Sequence, residues 1–367
     1  MCASAGCVDD MVALARTPDP LLQMAALGLL VGLSYSTQGM EYFFARGVAG
    51  WLLQLAGVPD CGGAEAGEAD MYLGPDALEV LAAIFTNAAA TGVIPIGGSA
   101  SASSSASANG TAHLSTQYRD TIISFTKAIL SAVGDSSASH ASSASNIKFA
   151  ALHSLAIFTV SSQTALCLVL ENDELVGLWC ELLKSTRSDL VGAVLMSIAH
   201  VLAARVDAGT GLGAGEGGSD ATVFTAAAAG EDEEQVKVLK TKLLLAIGAA
   251  KVKSAPVYLL SCAQQPLVEI KHGACRVLAA LARHTWGLNL LFSGENAAVG
   301  SPIWVFLHDY HHVDGKAQKE WKYEVLCAIA NSRGFGHLRS DVQGFVRKRV
   351  EQGAYFVPAE MEDPMVL

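Results

Sequence analysis

His308, His311 and His312, with Asp309 and Asp314 beside them, are the residues of this chain that look most like metal ligands. A zinc site needs three or four convergent ligands, ordinarily drawn from two separate elements. His308 and His312 are four apart and could share a helix face, yet no second ligand pair is visible, so surface or turn histidines are the simpler expectation. Gly213, Gly215 and Gly218 match the GxGxxG spacing of a dinucleotide loop. Such a loop needs a strand before it and a helix opening at its end. Here a helical segment precedes it and Ser219-Asp220-Ala221 follows. The chain has no nucleophile elbow, no Cys–His arrangement with a recognisable local signature and no lysine at an apolar strand end. Its carboxylates are scattered, so pairing them for acid–base work has no basis. These residues predict no enzyme, no cofactor and no metal.

The elements that would have to position such groups read as helices. Of the 367 residues 51% are apolar but only 7% aromatic, so Ala and Leu, both strong helix formers, carry the apolar content. Three segments share one grammar. In the first, Leu22, Ala26, Leu29 and Leu33 are spaced to line one helix face. A polar turn at 34–38 follows, then Gly39 leading the apolar Met40–Phe44, a break at Gly47, and Trp51–Leu55. The second runs through Phe149–Phe158, Ala165–Leu170 and Trp179–Leu183, and the third through His272–Leu281, Gly287–Phe292 and Trp304–Leu307. Further helices are expected at Asp76–Asn87, Thr116–Val133, Asp189–Ala204, Glu234–Ala250 and Glu320–Asn331. A long helix, a turn and two short helices cannot bury their apolar faces alone, whereas stacked copies can. The expected fold is all-α, an armadillo/HEAT-like α-solenoid running as one domain over residues 11–367, with the tryptophans as large core fillers.

Residues 97–110, 135–145 and 207–219 are Ser/Ala- or Gly-rich and are expected to be disordered loop insertions. None of Cys2, Cys7, Cys61, Cys167, Cys180, Cys262, Cys275 and Cys327 forms a CxxC pair, and most lie in apolar helical runs. That usage fits reduced, buried thiols in a cytoplasmic or nuclear protein. The N-terminus lacks the basic and apolar regions of a secretory signal. The uncharged stretch 149–170 is interrupted by seven polar residues, so it reads as two buried helices and predicts no membrane span. A net charge of −11 argues against nucleic acid as a partner. The acidic Glu231-Asp232-Glu233-Glu234 and basic Arg347-Lys348-Arg349 runs are most simply solvated faces.

The C-terminal third carries a more specific pattern. It includes Gln265–Ile270, Val277–Leu281, Trp286 with Gly287–Phe292, the Lys322-Tyr323-Glu324 helix ending in Ala330-Asn331-Ser332, and Val346–Pro358 with its closing Gly353-Ala354-Tyr355-Phe356-Val357. In this order it resembles the 26S proteasome non-ATPase regulatory subunit 5 family, and Pro20–Leu22, Gly39–Tyr42 and Gly47-Val48 look like it too. The match is to the C-terminal part of the family better than to a whole member, which points to an N-terminally shortened member. The resemblance implies an assembly chaperone of the proteasome regulatory-particle base, an α-solenoid that holds the C-terminal domain of one AAA-ATPase subunit. On that reading Lys322, Tyr323, Arg347, Arg349 and Tyr355 are the expected partner contacts, the tyrosines as amphipathic anchors and the arginines on partner carboxylates. Tyr323 as a core residue and the arginines as an end cap are the plainer roles. The alternative function is a generic armadillo-type adaptor or transport scaffold, which would want a regular ladder of groove Trp and Asn residues; the Trp spacing here is irregular.

Overall fold

Helix α1 (Ala5–Ala15) opens the chain. Asp19 then caps α2 (Pro20–Leu30), its Oδ1 accepting from the Leu21 and Leu22 amides at 2.9 and 3.4 Å, with Pro20 at the first helical position, where its missing N–H costs nothing. A 3₁₀ turn, Val31–Tyr35, leads to Ser36, whose Oγ accepts from Gly39 N at 3.0 Å and starts α3 (Thr37–Ala45). Gly47, at φ +62°, takes the left-handed turn between α3 and α4 (Val48–Leu55). Then come α5 (Leu73–Ala90), α6 (Ser143–Ser161), α7 (Gln163–Glu171), α8 (Asp173–Leu182) and α9 (Ser188–Ala203). The rest comprises α10 (Glu234–Lys251), α11 (Ala255–Ala263), α12 (Val268–Ala282), α13 (Thr285–Leu291), α14 (Pro302–His308), α15 (Lys316–Ala330), a 3₁₀ turn at Phe335–His337, and α16 (Ser340–Gln352). The computed structural model describes residues 5–17, 19–56, 73–90, 143–161, 163–204, 234–292, 302–308 and 315–356. Among them there is no β-strand. The expected helix Thr116–Val133, residues 97–110 and residues 207–219 lie outside the described residues, and of 135–145 only the helical 143–145 are described.

The chain divides into two compact units, Met1–Leu178 with Ala208–Ala214, and Trp179–Asp207 with Gly215–Leu367. In the first, α5 packs along α6 and against α2 and α4, and Phe85 of α5 meets Phe158 of α6 edge to face at 5.9 Å. Phe43, Leu52, Leu81 and Phe85 are fully buried there. The face of α2 predicted from Leu22, Ala26, Leu29 and Leu33 is not the buried one. Ala26, Leu27 and Leu30 are covered, whereas Leu22 and Leu29 keep 47% and 58% of their surface. The helix is apolar all round, so the 3.6-residue period cannot single out one face.

In the second unit α12 packs along α9 on one side and α15 on the other. The α9–α12 crossing depends on two glycines. A Cβ on Gly273 would sit 2.6 Å from Leu195 Cβ and 2.8 Å from Gly192 O, and one on Gly192 would sit 2.8 Å from Glu269 Cβ.

The fold is all-α and built from armadillo/HEAT-like helical repeats. A long helix followed by two short ones appears as α2–α3–α4, α6–α7–α8 and α12–α13–α14, matching the three segments of shared grammar. The helices expected merely to fill gaps do more. Those at Asp76–Asn87, Asp189–Ala204 and Glu320–Asn331 are α5, α9 and α15, and each stacks on a neighbouring long helix. The small residue leading the first short helix stands at its third position each time, as Gly39, Ala165 and Gly287. A Cβ on Gly39 or Gly287 would collide with the carbonyl six residues earlier, that of Leu33 or Leu281.

Among the described residues no single helix is long and apolar enough to cross a membrane. The pair α10–α11 passes on length and composition only when joined. It is bent by 71°, and it buries Leu243, Leu244, Ile247, Leu259 and Leu260 in the second unit.

Candidate partner-binding face

Of the five residues expected to meet a partner, four come from the last two helices, which pack together, and Tyr355 from the turn just past α16. Tyr323 of α15 donates its hydroxyl to the Val350 carbonyl of α16 at 3.1 Å. A hydrogen bond with Cys327, together with burial, pushes that hydroxyl's pKa up. Tyr355 donates to the Glu320 carboxylate, which likewise raises its pKa, and Lys316 lies over its ring at 5.9 Å. Lys322 lies over the Phe306 ring at 5.1 Å and is half-buried. Arg347 covers the Phe335 ring at 5.4 Å and stays exposed. Arg349 is only 7% exposed, over the Phe356 ring at 5.1 Å with Nη1 3.5 Å from Gln352 Oε1. Two residues apart on a helix means roughly 200° around the axis. Arg347 and Arg349 therefore face opposite sides, and Arg347 and Tyr355 are the two of the five with open surface.

A second constellation was not singled out from the sequence. His272 and Arg276 of α12 and its C-cap Arg283 lie at i, i+4 and i+11, along one face of a helix otherwise dominated by Ala, Val and Leu. That face meets α15. His272 stacks on Trp321 with ring centroids 4.2 Å apart, and Arg276 Nε donates to His272 Nε2 at 3.2 Å. Arg276 Nη1 reaches Glu324 Oε1 at 3.0 Å, and Arg283 Nη2 lies 3.9 Å from the same oxygen. With 14–26% of each side chain accessible, the three charges are neither buried nor bathed in solvent. An aromatic–guanidinium–carboxylate ladder of this kind offers flat apolar surface and directed donors together, the composition enriched at protein-binding hot spots. The available signal was the row of polar residues at helical spacing on an apolar helix.

The groups weighed for chemistry take structural roles where they are described. His308 stacks on Phe345 at 3.9 Å and its Nδ1 lies 2.9 Å from Trp304 O; residues 309–314 lie outside the described residues, as do Gly213, Gly215 and Gly218. Among the described residues no three His, Cys, Asp or Glu side chains are grouped to hold a metal ion. Burial pushes the Cys180, Cys262 and Cys327 thiols up, away from the reactive thiolate. Trp179 is 1% exposed and fills the core, while Trp51 and Trp304 are half-buried.

No family model matches the chain, and no curated protein does. Among solved structures it is similar to a designed armadillo repeat protein in complex with the peptide (KR)4, at 11% identity and a TM-score of 0.42 over 88% of this chain and 99% of that one. It is also similar to computationally designed armadillo repeat proteins for modular peptide recognition (13%, TM-score 0.40, 88% and 99%) and to an engineered protein from a structural genomics consortium (14%, TM-score 0.40, 94% and 95%). These likenesses are distant, and the all-α repeat fold follows from the helices themselves.

Proposed function

We propose that this chain is a non-catalytic, armadillo-type protein-binding scaffold that engages its partner through the shared α12–α15 face. The observation that carries the reading is the ladder of His272, Trp321, Arg276, Glu324 and Arg283 across two stacked long helices. A partner can gain from stacking and charge-assisted hydrogen bonds there with little rearrangement of the scaffold, because these side chains already hold one another in place. The test is capture of partners by the immobilised chain, wild type against Trp321→Ala and Arg276→Ala, with thermal melts to show that both variants fold. Selective loss of the same captured protein in both variants supports the face, and unchanged capture in both rejects it.

A narrower reading draws on the sequence resemblance carried by Lys322–Ser332 and Val346–Pro358. On it the partner is the C-terminal domain of one AAA-ATPase of the proteasome base, the chain is an assembly chaperone acting by steric occupancy and timely release, and its place is the cytoplasm or nucleus. Capture from a panel of the six isolated ATPase domains separates the two readings. One domain retained selectively supports the chaperone. None retained, with another protein captured by a folded sample, leaves the general scaffold and rejects the chaperone.

A further inference from the structure

Charge is segregated along this chain in a way that its net −11 conceals. Of the 24 Lys and Arg residues, 16 lie between positions 234 and 356, against nine Asp and Glu there, so that span carries +7 while residues 1–233 carry −15. Much of the positive charge is used inside the fold. Lys240 and Lys251 hold helix-end carbonyls, Arg276 and Arg283 face Glu324, and Arg339 pairs with Asp341 at 2.7 Å. Among the exposed cations with no ion pair to a described carboxylate, Arg333, Arg347 and Lys348 are grouped, whereas Lys253 and Lys316 stand on other elements.

These three cations sit on one small structural body. Arg347 lies over Phe335, a buried ring two residues beyond Arg333, and Lys348 is its neighbour on α16. Gln343 Nε2 donates to the Leu338 and Gly336 carbonyls at 2.6 and 3.1 Å, tying the turn that carries Arg333 to the helix that carries the other two. The ring holds the Arg347 guanidinium without neutralising it. Carboxylates flank the cations, with Asp341 and Glu351 exposed on the same helix. A nucleic-acid backbone, with a phosphate at every step, would meet those carboxylates as well as the cations. A peptide whose acids are separated by neutral residues can match the one and avoid the other.

We infer that the Arg333–Arg347–Lys348 surface takes an extended acidic segment of a protein partner. The inference rests on the scaffold reading and supplies a second, electrostatic contact beside the α12–α15 ladder.

The experiment is fluorescence anisotropy of the full chain with a labelled decapeptide of alternating Glu and Gly, at low salt of about 50 mM, where screening is weak. A Gln/Gly decapeptide and a ten-nucleotide single-stranded DNA serve as comparison probes. The triple variant Arg333→Gln/Arg347→Gln/Lys348→Gln is expected to lose about tenfold in affinity for the acidic peptide, the sum of three exposed charge contacts. A variant with the same change in net charge elsewhere, Arg16→Gln/Lys184→Gln/Lys253→Gln, is expected to lose less than about threefold. Equal losses in the two variants, equal affinity for the DNA, or no measurable binding would each overturn the inference. So would tight binding that appears only after Glu360, Glu362 and Asp363 are neutralised, because the chain's own acidic residues would then be the occupant. If the triple variant still captures the scaffold's partner with unchanged affinity, the scaffold reading stands and this contact is lost.

Discussion

Lys240 is fully buried, and its Nζ donates to the Leu202 carbonyl at 3.0 Å as well as to Ala204 O at 2.8 Å, at the open C-terminal end of α9. His284 Nε2 lies 2.9 Å from the same Leu202 oxygen, which places the ring proton on that nitrogen. Eleven residues further along α10, about 16 Å at 1.5 Å per residue, Lys251 does the same for α8, donating to Leu183 O at 2.6 Å. Helix C-termini leave carbonyls without partners and carry partial negative charge. Here one face of α10 supplies cations to two of them in succession. Lys240→Met should therefore cost about 2 kcal/mol by stranding the buried Ala204 carbonyl, since Leu202 O keeps His284, and Lys251→Met about 1 kcal/mol because the Leu183 carbonyl it leaves is only partly buried. Urea unfolding with unchanged slope would measure both, and a larger loss at Lys251 would contradict the argument.

Gly287 should not tolerate alanine. Its Cβ would collide with a backbone carbonyl, which cannot rotate away as a side chain could. Gly287→Ala and Gly39→Ala are each expected to cost about 1–3 kcal/mol, as overpacking does, despite the better helix propensity of alanine. The equivalent residue in the second copy is already Ala165, so Ala165→Gly should lose only about 1 kcal/mol on propensity. Thermal unfolding of the three variants checks the ranking.

Val252, just past the end of α10, has φ +54° and is 91% exposed. The left-handed region costs an L-residue roughly 1–2 kcal/mol, and nothing on this open surface requires a β-branched side chain. Val252→Gly should stabilise the protein by about 0.5–1 kcal/mol after the extra chain entropy of glycine is counted. Destabilisation on chemical unfolding would show that the side chain makes a contact the exposure does not reveal.

Arg347 and Arg349 should separate cleanly. Arg349→Ala removes a buried side chain packed on Phe356 and is expected to cost about 1–3 kcal/mol. Arg347→Ala, on open surface, should stay within about 0.5 kcal/mol. Differential scanning calorimetry on the two single variants checks this. A binding experiment that changed both residues together would confuse lost folding with lost contact.

The helical repeat was readable because long Ala/Leu runs, polar turns and small lead residues recur in order, and stacking is the only way such runs bury their faces. Its extent was less readable. The helices at Asp189–Ala204 and Glu320–Asn331 carry the same stacking role as the one at His272–Leu281, but different lengths of intervening chain hide the common spacing. For α2 the sequence offered no way to choose a face, since nearly every position is apolar. For the candidate site the residue types alone did not reveal the contacts, since Tyr323 bonds the Val350 carbonyl of α16 and Arg349 lies buried over Phe356. The His272–Trp321 stack joins residues 49 positions apart, and only the packing of α12 on α15 brings them together.

The central claim is that a protein partner seats on the α12–α15 face. Hydrogen–deuterium exchange of the full chain, alone and with its captured partner, tests it most directly. Slowed exchange is expected in peptides covering 268–283 and 316–330. Protection confined to other helices, with those two segments unchanged, would contradict it.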